Sequence, residues 1–300
     1  AFYLTVLAIY QLMPLDFTLN LSAIYHDIKN GGFVFIPFSA KQPSYLHTIH
    51  NFSIEFFIWS LIGIVWFFSS ARPALQIWAR AIFFAVILEF IQLFIRSRVV
   101  DVTEILSAIT GSGVGIRFGI AIIRWFPIIT QPKHHRYRRA WVLISMSAFL
   151  FWFTVVIWYY WFPFNFSMEY FSNQTAVLPS LPFWPHFSSI KFNVLTDIFR
   201  IILFYAPLGS LLGFAAASLD KPRYRRYAVE IATVILLVST LIIEAGQFFL
   251  PERFTDLTDI AFSVGAALGG YWVIYTIQTR YLLQLVSESL PQGEQHINNA

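Results

Sequence analysis

Five polar residues occur twice in this chain with the same spacing. The first set is Glu89, Gln92, Arg98, Asp101 and Glu104, and the second, 155 positions later, is Glu244, Gln247, Arg253, Asp256 and Asp259. Carboxyl groups can act as general acids and bases, and a guanidinium group can bind phosphate or stabilise developing negative charge. Polar side chains within and beside apolar runs are costly to keep. The two sets, named the first and second polar clusters, are therefore the candidate functional residues.

The composition predicts that the elements carrying these clusters cross a membrane. Of the 300 residues, 57% are hydrophobic and only 12% are charged, whereas an ordinary soluble domain has about 25% charged residues. The aromatic content of 19% fits, because Trp and Tyr collect at membrane interfaces. The chain has no cysteine, which excludes disulfide bonds, thiolate nucleophiles and cysteine metal sites. A polytopic membrane protein is predicted.

Eight apolar runs are predicted to be spanning helices. They cover about 1 to 13, 52 to 70, 74 to 96, 101 to 124, 140 to 161, 197 to 218, 229 to 250 and 256 to 278. Strands of a membrane barrel would alternate apolar and polar residues over about ten positions, and no such alternation is visible. The predicted fold class is all-α, a polytopic transmembrane helical bundle. The sequence starts within an apolar run without an initiator Met, so the first span is expected to be trimmed. A cleaved signal peptide is not predicted, because no basic region and small-residue cleavage site precede that run.

Basic residues in and beside the joins between spans predict the orientation. They are Arg72 and Arg80, then Lys133, Arg136, Arg138 and Arg139, then Lys221, Arg223, Arg225 and Arg226. Positive loops face the cytoplasm, which places both termini there and the long loops 14–51 and 162–196 outside. The basic groups are short and lack a base-stacking module, so no nucleic-acid partner is predicted.

The duplication extends beyond the polar clusters. Pro14-Leu15-Asp16-Phe17 follows the first span as Pro163-Phe164-Asn165-Phe166 follows the fifth. Each unit has four spans, and an even number gives both units the same orientation, so the repeats are predicted to be parallel. The predicted organisation is a diverged first repeat at 1–130, a second repeat at 131–280 and a polar tail at 281–300.

Within each cluster the residues have separable roles. Glu89 and Gln92 share a helix face roughly 10 Å below the outer end of their span, as Glu244 and Gln247 do. Each pair is either a structural clamp between helices or part of a ligand site. Asp101 with Glu104, and Asp256 with Asp259, have the spacing of an N-cap and the third helical residue, which predicts capping by the aspartates. Arg98 and Arg253 are expected in the outer turns, paired with the aspartates.

Other polar residues have weaker functional interpretations. Glu55 and Arg200 occupy equivalent places with opposite charge, so they either bridge the two halves or extend toward water singly. Arg117 is expected to extend toward the cytoplasmic side together with Arg124. His47 and His50 lack an assured third ligand, and no metal or cofactor is predicted. Gly111, Gly113, Gly115, Gly119, Gly265, Gly269 and Gly270 are predicted to be helix-packing glycines and not phosphate loops.

A family resemblance rests on the second half. One motif is a helix of the form Asn-x-Leu-Leu-Phe-x-Pro-x-Gly, which the segment from Arg200 to Leu212 resembles through Phe204, Pro207, Leu208 and Gly209. Two further motifs, Glu-x-x-Gln and Arg-x-x-Asp-x-x-Asp, follow it as Glu244, Gln247, Pro251, Arg253, Asp256 and Asp259. These motifs are similar to those of the VanZ-like family of bacterial membrane proteins, named for a teicoplanin-resistance protein. The first half resembles a diverged copy, with Glu104 for the second Asp and Leu61 for the Pro. The family's usual Asn positions are Ile201 and Ser263 here, and Glu55 and Ala108 in the first copy.

The resemblance implies an envelope-associated protein of the bacterial cytoplasmic membrane. It also implies that the protein contributes to antibiotic resistance. The predicted function is non-enzymatic binding of an amphiphile at the outer leaflet, either a lipid-linked envelope intermediate or a lipoglycopeptide. The clusters would bind its head group, Arg98 and Arg253 would suit phosphate, and the Pro-Phe segments around Pro37 and Pro182 would cover the acyl part. Membrane lipids are the expected partners.

Two alternatives belong to other classes of protein. An intramembrane transferase or hydrolase would use Glu244 with Asp256 or Asp259 as acid and base, and Arg253 to stabilise charge. A transporter is favoured by the repeat but opposed by the position of both clusters near one face, since transporter sites lie near the midplane.

Overall fold

The chain folds into a bundle of long helices. The computed structural model describes residues 2–40, 42–125, 135–168, 191–219, 222–250 and 257–289. In these residues the helices are α1 (Phe2–Leu12), α2 (Leu21–Asp27), α3 (Tyr45–Ser69), α4 (Ala74–Gln92), α5 (Val102–Trp125), α6 (His135–Trp161), α7 (Lys191–Ala217), α8 (Pro222–Gln247) and α9 (Leu257–Ser289). A π-helical turn, Ile28–Gly32, follows α2, and the short strands β1 (Phe33–Val34) and β2 (Val100–Asp101) pair in parallel. The all-α prediction is confirmed.

The predicted spans correspond to helices of this bundle. Within the described part of the chain, 7 helices, α3 to α9, are long and apolar enough to cross a membrane. The first predicted span is the shorter apolar helix α1, of 11 residues. The chain is a multi-pass membrane protein. One difference is at α3, which begins at Tyr45 and not near 52, because its first two turns contain polar residues such as His47 and His50 that an apolar pattern does not detect.

Each half is built around one pair of closely packed helices, α3 with α5 and α7 with α9. A Cβ atom on Gly63 of α3 would lie 2.5 Å from the carbonyl oxygen of Ser112 of α5, and one on Gly209 of α7 would overlap the carbonyl oxygen of Ala267 of α9. Only glycine permits such backbone approach, as expected for helix pairs in membranes.

The predicted packing role of the span glycines is correct for most of them. Added Cβ atoms on Gly111, Gly115, Gly119 and Gly270 would each collide with the facing helix, and one on Gly113 would press against Trp78. It is wrong for Gly265 and Gly269, which are exposed and would meet nothing within 4 Å. These two lie on the face of α9 turned away from α7, a distinction that a glycine count cannot make.

The halves join through α1 and through aromatic rings at one end of the bundle. The Tyr3 hydroxyl of α1 donates to the Leu203 carbonyl of α7 at 3.3 Å. The His50 ring stacks on Phe162 with centroids 4.0 Å apart, and Tyr10 lies against Tyr159.

The Glu55 to Arg200 bridge considered from sequence is not formed. Arg200 instead pairs with Asp197 of its own helix at 2.6 Å, and Glu55 is bound within the first half.

Similar turns bring both polar clusters to this end. After α1, Leu15 has φ of 64°, and after α6, Phe164 has φ of 65°. The following chain then bonds to the end of a helix in the same half, Thr18 N to Phe94 O at 2.7 Å and Ser167 N to Phe249 O at 2.9 Å. The ends of α1 and α4 are thereby fixed together, as are the ends of α6 and α8.

Candidate functional site

The first polar cluster is organised by Gln11, near the end of α1. Its amide nitrogen donates to both carboxyl oxygens of Glu55, at 3.2 and 3.0 Å. Its own side-chain and backbone oxygens accept from the amide nitrogen of Gln92, at 3.2 and 3.1 Å. Gln92 is 2% exposed. Three helices, α1, α3 and α4, are therefore joined by one chain of side-chain hydrogen bonds.

The acidic members of the first cluster lie close together. Glu89 accepts from the Asp101 amide at 3.3 Å, and its carboxyl group lies beside that of Glu104. A cavity beside them, between Gln11, Trp59 and Glu89, has a volume of about 10 Å³, which is roughly enough for one water molecule. A lipid head group does not fit there.

Asp101 caps α5, as the spacing predicts. Its Oδ1 accepts from the Thr103 amide at 2.8 Å and from the Thr103 hydroxyl. The same hydroxyl accepts from the Phe38 amide at 2.9 Å, and β1 pairs with β2 at Asp101. The segment around Phe38 is thus fixed directly beside the cluster. Glu104 does not complete a capping box, because its carboxyl group turns to Glu89.

Arg98 binds the end of α1 and does not pair with Asp101. Its Nε donates to the Met13 carbonyl at 2.8 Å and its Nη2 to the Tyr10 carbonyl at 3.0 Å. These carbonyls belong to the last turn of α1 and the residue just after it, where helical partners are missing and a cation is favourable. The predicted turn pair is therefore wrong for the first half, and the guanidinium is occupied by backbone oxygens.

Replacing Arg98 with Ala should destabilise the protein by roughly 2 kcal/mol, since two charge-assisted hydrogen bonds are lost. Arg98→Lys should recover part of this loss, because it keeps the charge but not the paired donors. Thermal unfolding of the detergent-purified chain measures the effect. Arg96→Ala is the matched control, since Arg96 is exposed two residues away. Equal melting temperatures for Arg98→Ala and Arg96→Ala would contradict this role.

The second polar cluster is buried but differently connected. Glu244 and Gln247, near the end of α8, are 4% and 5% exposed. The Gln247 amide nitrogen donates to Glu244 Oε1 at 3.3 Å. Asp259 is half-buried in the first turn of α9. Arg253 and Asp256 lie outside the described residues, and so do the residues around Pro182.

Two tyrosines that the sequence patterns did not indicate accompany Glu244. Tyr160 and Tyr205 are 6% and 1% exposed, and their rings lie 5.9 Å apart. Both hydroxyls are within electrostatic range of Glu244 and Asp259. The Tyr160 hydroxyl has no hydrogen-bond partner in the part of the chain that the structure describes, and the Tyr205 hydroxyl faces the buried side chain of Ser263 without completing a hydrogen bond there. Buried hydroxyls are normally satisfied, so two together mark a place where polar atoms of another molecule could bind.

The C-terminal end of α6 fixes Tyr160 beside α8. The Trp161 indole donates to the Ile243 carbonyl at 3.0 Å, and Gly246 leaves the room for its ring. Just beyond, Phe164, Phe166 and Met168 are 38%, 48% and 77% exposed. An apolar surface therefore follows the end of α6, which carries the buried Tyr160 hydroxyl.

The two clusters are chemically unequal in their described residues. Gln11 precedes Pro14 by three residues, as Tyr160 precedes Pro163, so Gln11 and Tyr160 occupy matching places. The amide of Gln11 both donates and accepts and so completes the bonds of the first cluster, whereas the Tyr160 hydroxyl leaves the second incomplete. Gln11 was detectable as the only strongly polar side chain in the first apolar run, but the tyrosines look like ordinary interfacial aromatics.

Comparison with known proteins gives one match. The chain is similar to no curated protein and to no solved structure. The matching family model is described as VanZ/LLP1. It covers α7, α8 and the second polar cluster, and it also covers Tyr160 and Tyr205. Residues 149–278 of this membrane protein therefore match the VanZ/LLP1 family.

Proposed function

We propose that this protein binds the polar head group of a membrane amphiphile at the second polar cluster, without chemical turnover. The observation behind the proposal is that the buried hydroxyls of Tyr160 and Tyr205 complete no hydrogen bond in the described residues and lie within electrostatic range of Glu244 and Asp259. A head group with hydroxyl, amide or phosphate oxygens would satisfy them. Lipid-linked envelope intermediates and lipoglycopeptides are the ligand classes proposed.

The surroundings of the second cluster support an amphiphile over a small polar solute. The exposed side chains of Phe164, Phe166 and Met168 lie on the segment that bonds to the chain just after α8, and they can pack against an acyl chain. A solute without a chain would gain nothing from that surface, since apolar contact contributes in proportion to the area buried. The polar groups near Glu244 would then confer specificity, as a few convergent polar groups do in ligand sites.

The same proposal assigns different roles to the two halves. The segments 1–130 and 131–280, followed by the tail 281–300, are proposed to be two copies of one four-span unit. In the first copy the cluster is a structural clamp, because its amides and carboxyl groups bond to one another and leave about 10 Å³ of free space. The ligand site is kept in the second copy, at the outer face of the bacterial cytoplasmic membrane.

Replacing both tyrosines tests the site. With the full chain in lipid nanodiscs containing a diazirine-bearing polyprenyl phosphate, wild-type protein should be labelled near Tyr160 to Met168 and near Glu244. Tyr160→Phe with Tyr205→Phe should lower that labelling about tenfold, since two neutral hydrogen bonds are lost. The unliganded variant should be as stable as wild type or more so, because buried groups without partners are removed.

Tyr271→Phe is the matched control. Tyr271 is fully buried and its hydroxyl also lacks a partner among the described residues, but it lies about 20 Å along α9 from Leu257. Its replacement should leave labelling unchanged. Equal labelling of the double variant and wild type, or labels spread over the lipid-facing surface, would contradict the proposed site.

A further inference from the structure

A second surface suited to a ligand lies at the opposite end of the first half. It is a groove of about 610 Å³ between the first turns of α4 and the last turns of α5, a volume typical of ligand sites. Its walls include Leu75, Trp78, Ile116 and Ile120, and its charged members are Arg117 and Arg124. The Trp78 indole is fixed, because it donates to the Ile109 carbonyl at 2.9 Å.

The two arginines lie on one face of α5. Seven residues are two helical turns, so Arg117 and Arg124 are about 10 Å apart along the axis and can converge on one group between them. Both are exposed. Neither Arg117 nor Arg124 makes a hydrogen bond or ion pair with another described residue.

The charge at this end is unbalanced. The sequence has no Asp or Glu from 56 to 88 or from 105 to 168, so the acidic residues of α4 and α5 are confined to the other end. Arg72 and Arg80 add two more exposed cations near the start of α4. The groove itself is lined by apolar side chains and by Arg117 and Arg124, without a carboxylate, so it is complementary to an amphiphilic anion.

We infer that this groove holds one anionic phospholipid of the leaflet opposite the polar clusters. Its phosphate lies between Arg117 and Arg124, and its acyl chains run along Leu75, Ile116 and Ile120. The positive-inside rule places this leaflet on the cytoplasmic side. The site would anchor the first half in the membrane, and it is independent of ligand binding at the second cluster.

Native mass spectrometry of the full chain tests the lipid site. The protein is released from micelles containing phosphatidylglycerol and phosphatidylcholine with identical acyl chains. One phosphatidylglycerol should be retained at least fivefold over phosphatidylcholine. Arg117→Gln with Arg124→Gln should reduce that retention at least fivefold, and Ala121→Phe should do the same by filling the groove without changing its charge.

Arg72→Gln with Arg80→Gln is the control. Like the groove variant, it removes two positive charges from this end of the bundle, but it does not alter the groove, so retention should persist. Similar retention by both double variants, or equal retention of the two lipids by wild type, would overturn the inference. If the groove arginines proved necessary for folding, undiminished retention by Ala121→Phe would still overturn it.

Discussion

Gly209→Ala should destabilise this protein more than any other single methyl addition in the described helices. An added Cβ would occupy the position of the Ala267 carbonyl oxygen, and it would also approach the Ala267 Cα. Backbone atoms cannot rotate away as a side chain can, so α7 and α9 would have to separate. Overpacking costs about 1 to 3 kcal/mol where side chains adjust, and roughly 3 kcal/mol or more is expected here.

Gly265→Ala is the matched substitution for this prediction. Gly265 is on α9 itself, two residues before Ala267, and nothing lies within 4 Å of its added Cβ. Because alanine favours helix by about 1 kcal/mol over glycine, this change should leave stability equal or raise it. Thermal unfolding of both purified variants measures the difference. Comparable melting temperatures for Gly209→Ala and Gly265→Ala would show that the two backbones are not in contact.

Most of the helical architecture was predictable because lipid imposes a simple rule. Backbone groups in a bilayer must be satisfied within the helix, so apolar runs about 20 residues long become helices almost regardless of their neighbours. The prediction failed where a helix continued into water. The first turns of α3, from Tyr45, are polar, and nothing in an apolar pattern marks them as helical.

Contacts within the site were less predictable, because they depend on which helix faces which. The spacing of Glu89 and Gln92 indicated a shared face but not the partner on it, which is Gln11 of α1. Likewise, Arg98 was assigned to the nearest aspartate in sequence, whereas the free carbonyls of α1 are closer in space. Local capping by Asp101 was predicted correctly, since it needs no tertiary information.

Gln11→Leu should have the other large effect. The substitution leaves the Glu55 carboxyl group without its amide donor, at 3.0 Å, and leaves the Gln92 amide with only the backbone oxygen of residue 11, at 3.1 Å. Leaving a buried charged or amide group unsatisfied costs its desolvation free energy, so a loss of roughly 3 kcal/mol is expected. Gln76→Leu provides the control, because Gln76 is exposed at the start of α4 and should tolerate the same change.

The triple variant Gln11→Leu, Glu55→Leu and Gln92→Leu separates a structural clamp from a binding site. Removing every partner replaces the network by apolar contact, so stability should recover toward the wild-type value. Lipid labelling at the second cluster should remain, since its groups are untouched. A triple variant that was stable yet unlabelled would assign ligand binding to the first cluster. If Gln11→Leu matched Gln76→Leu in melting temperature, the network would not hold α1 to the bundle.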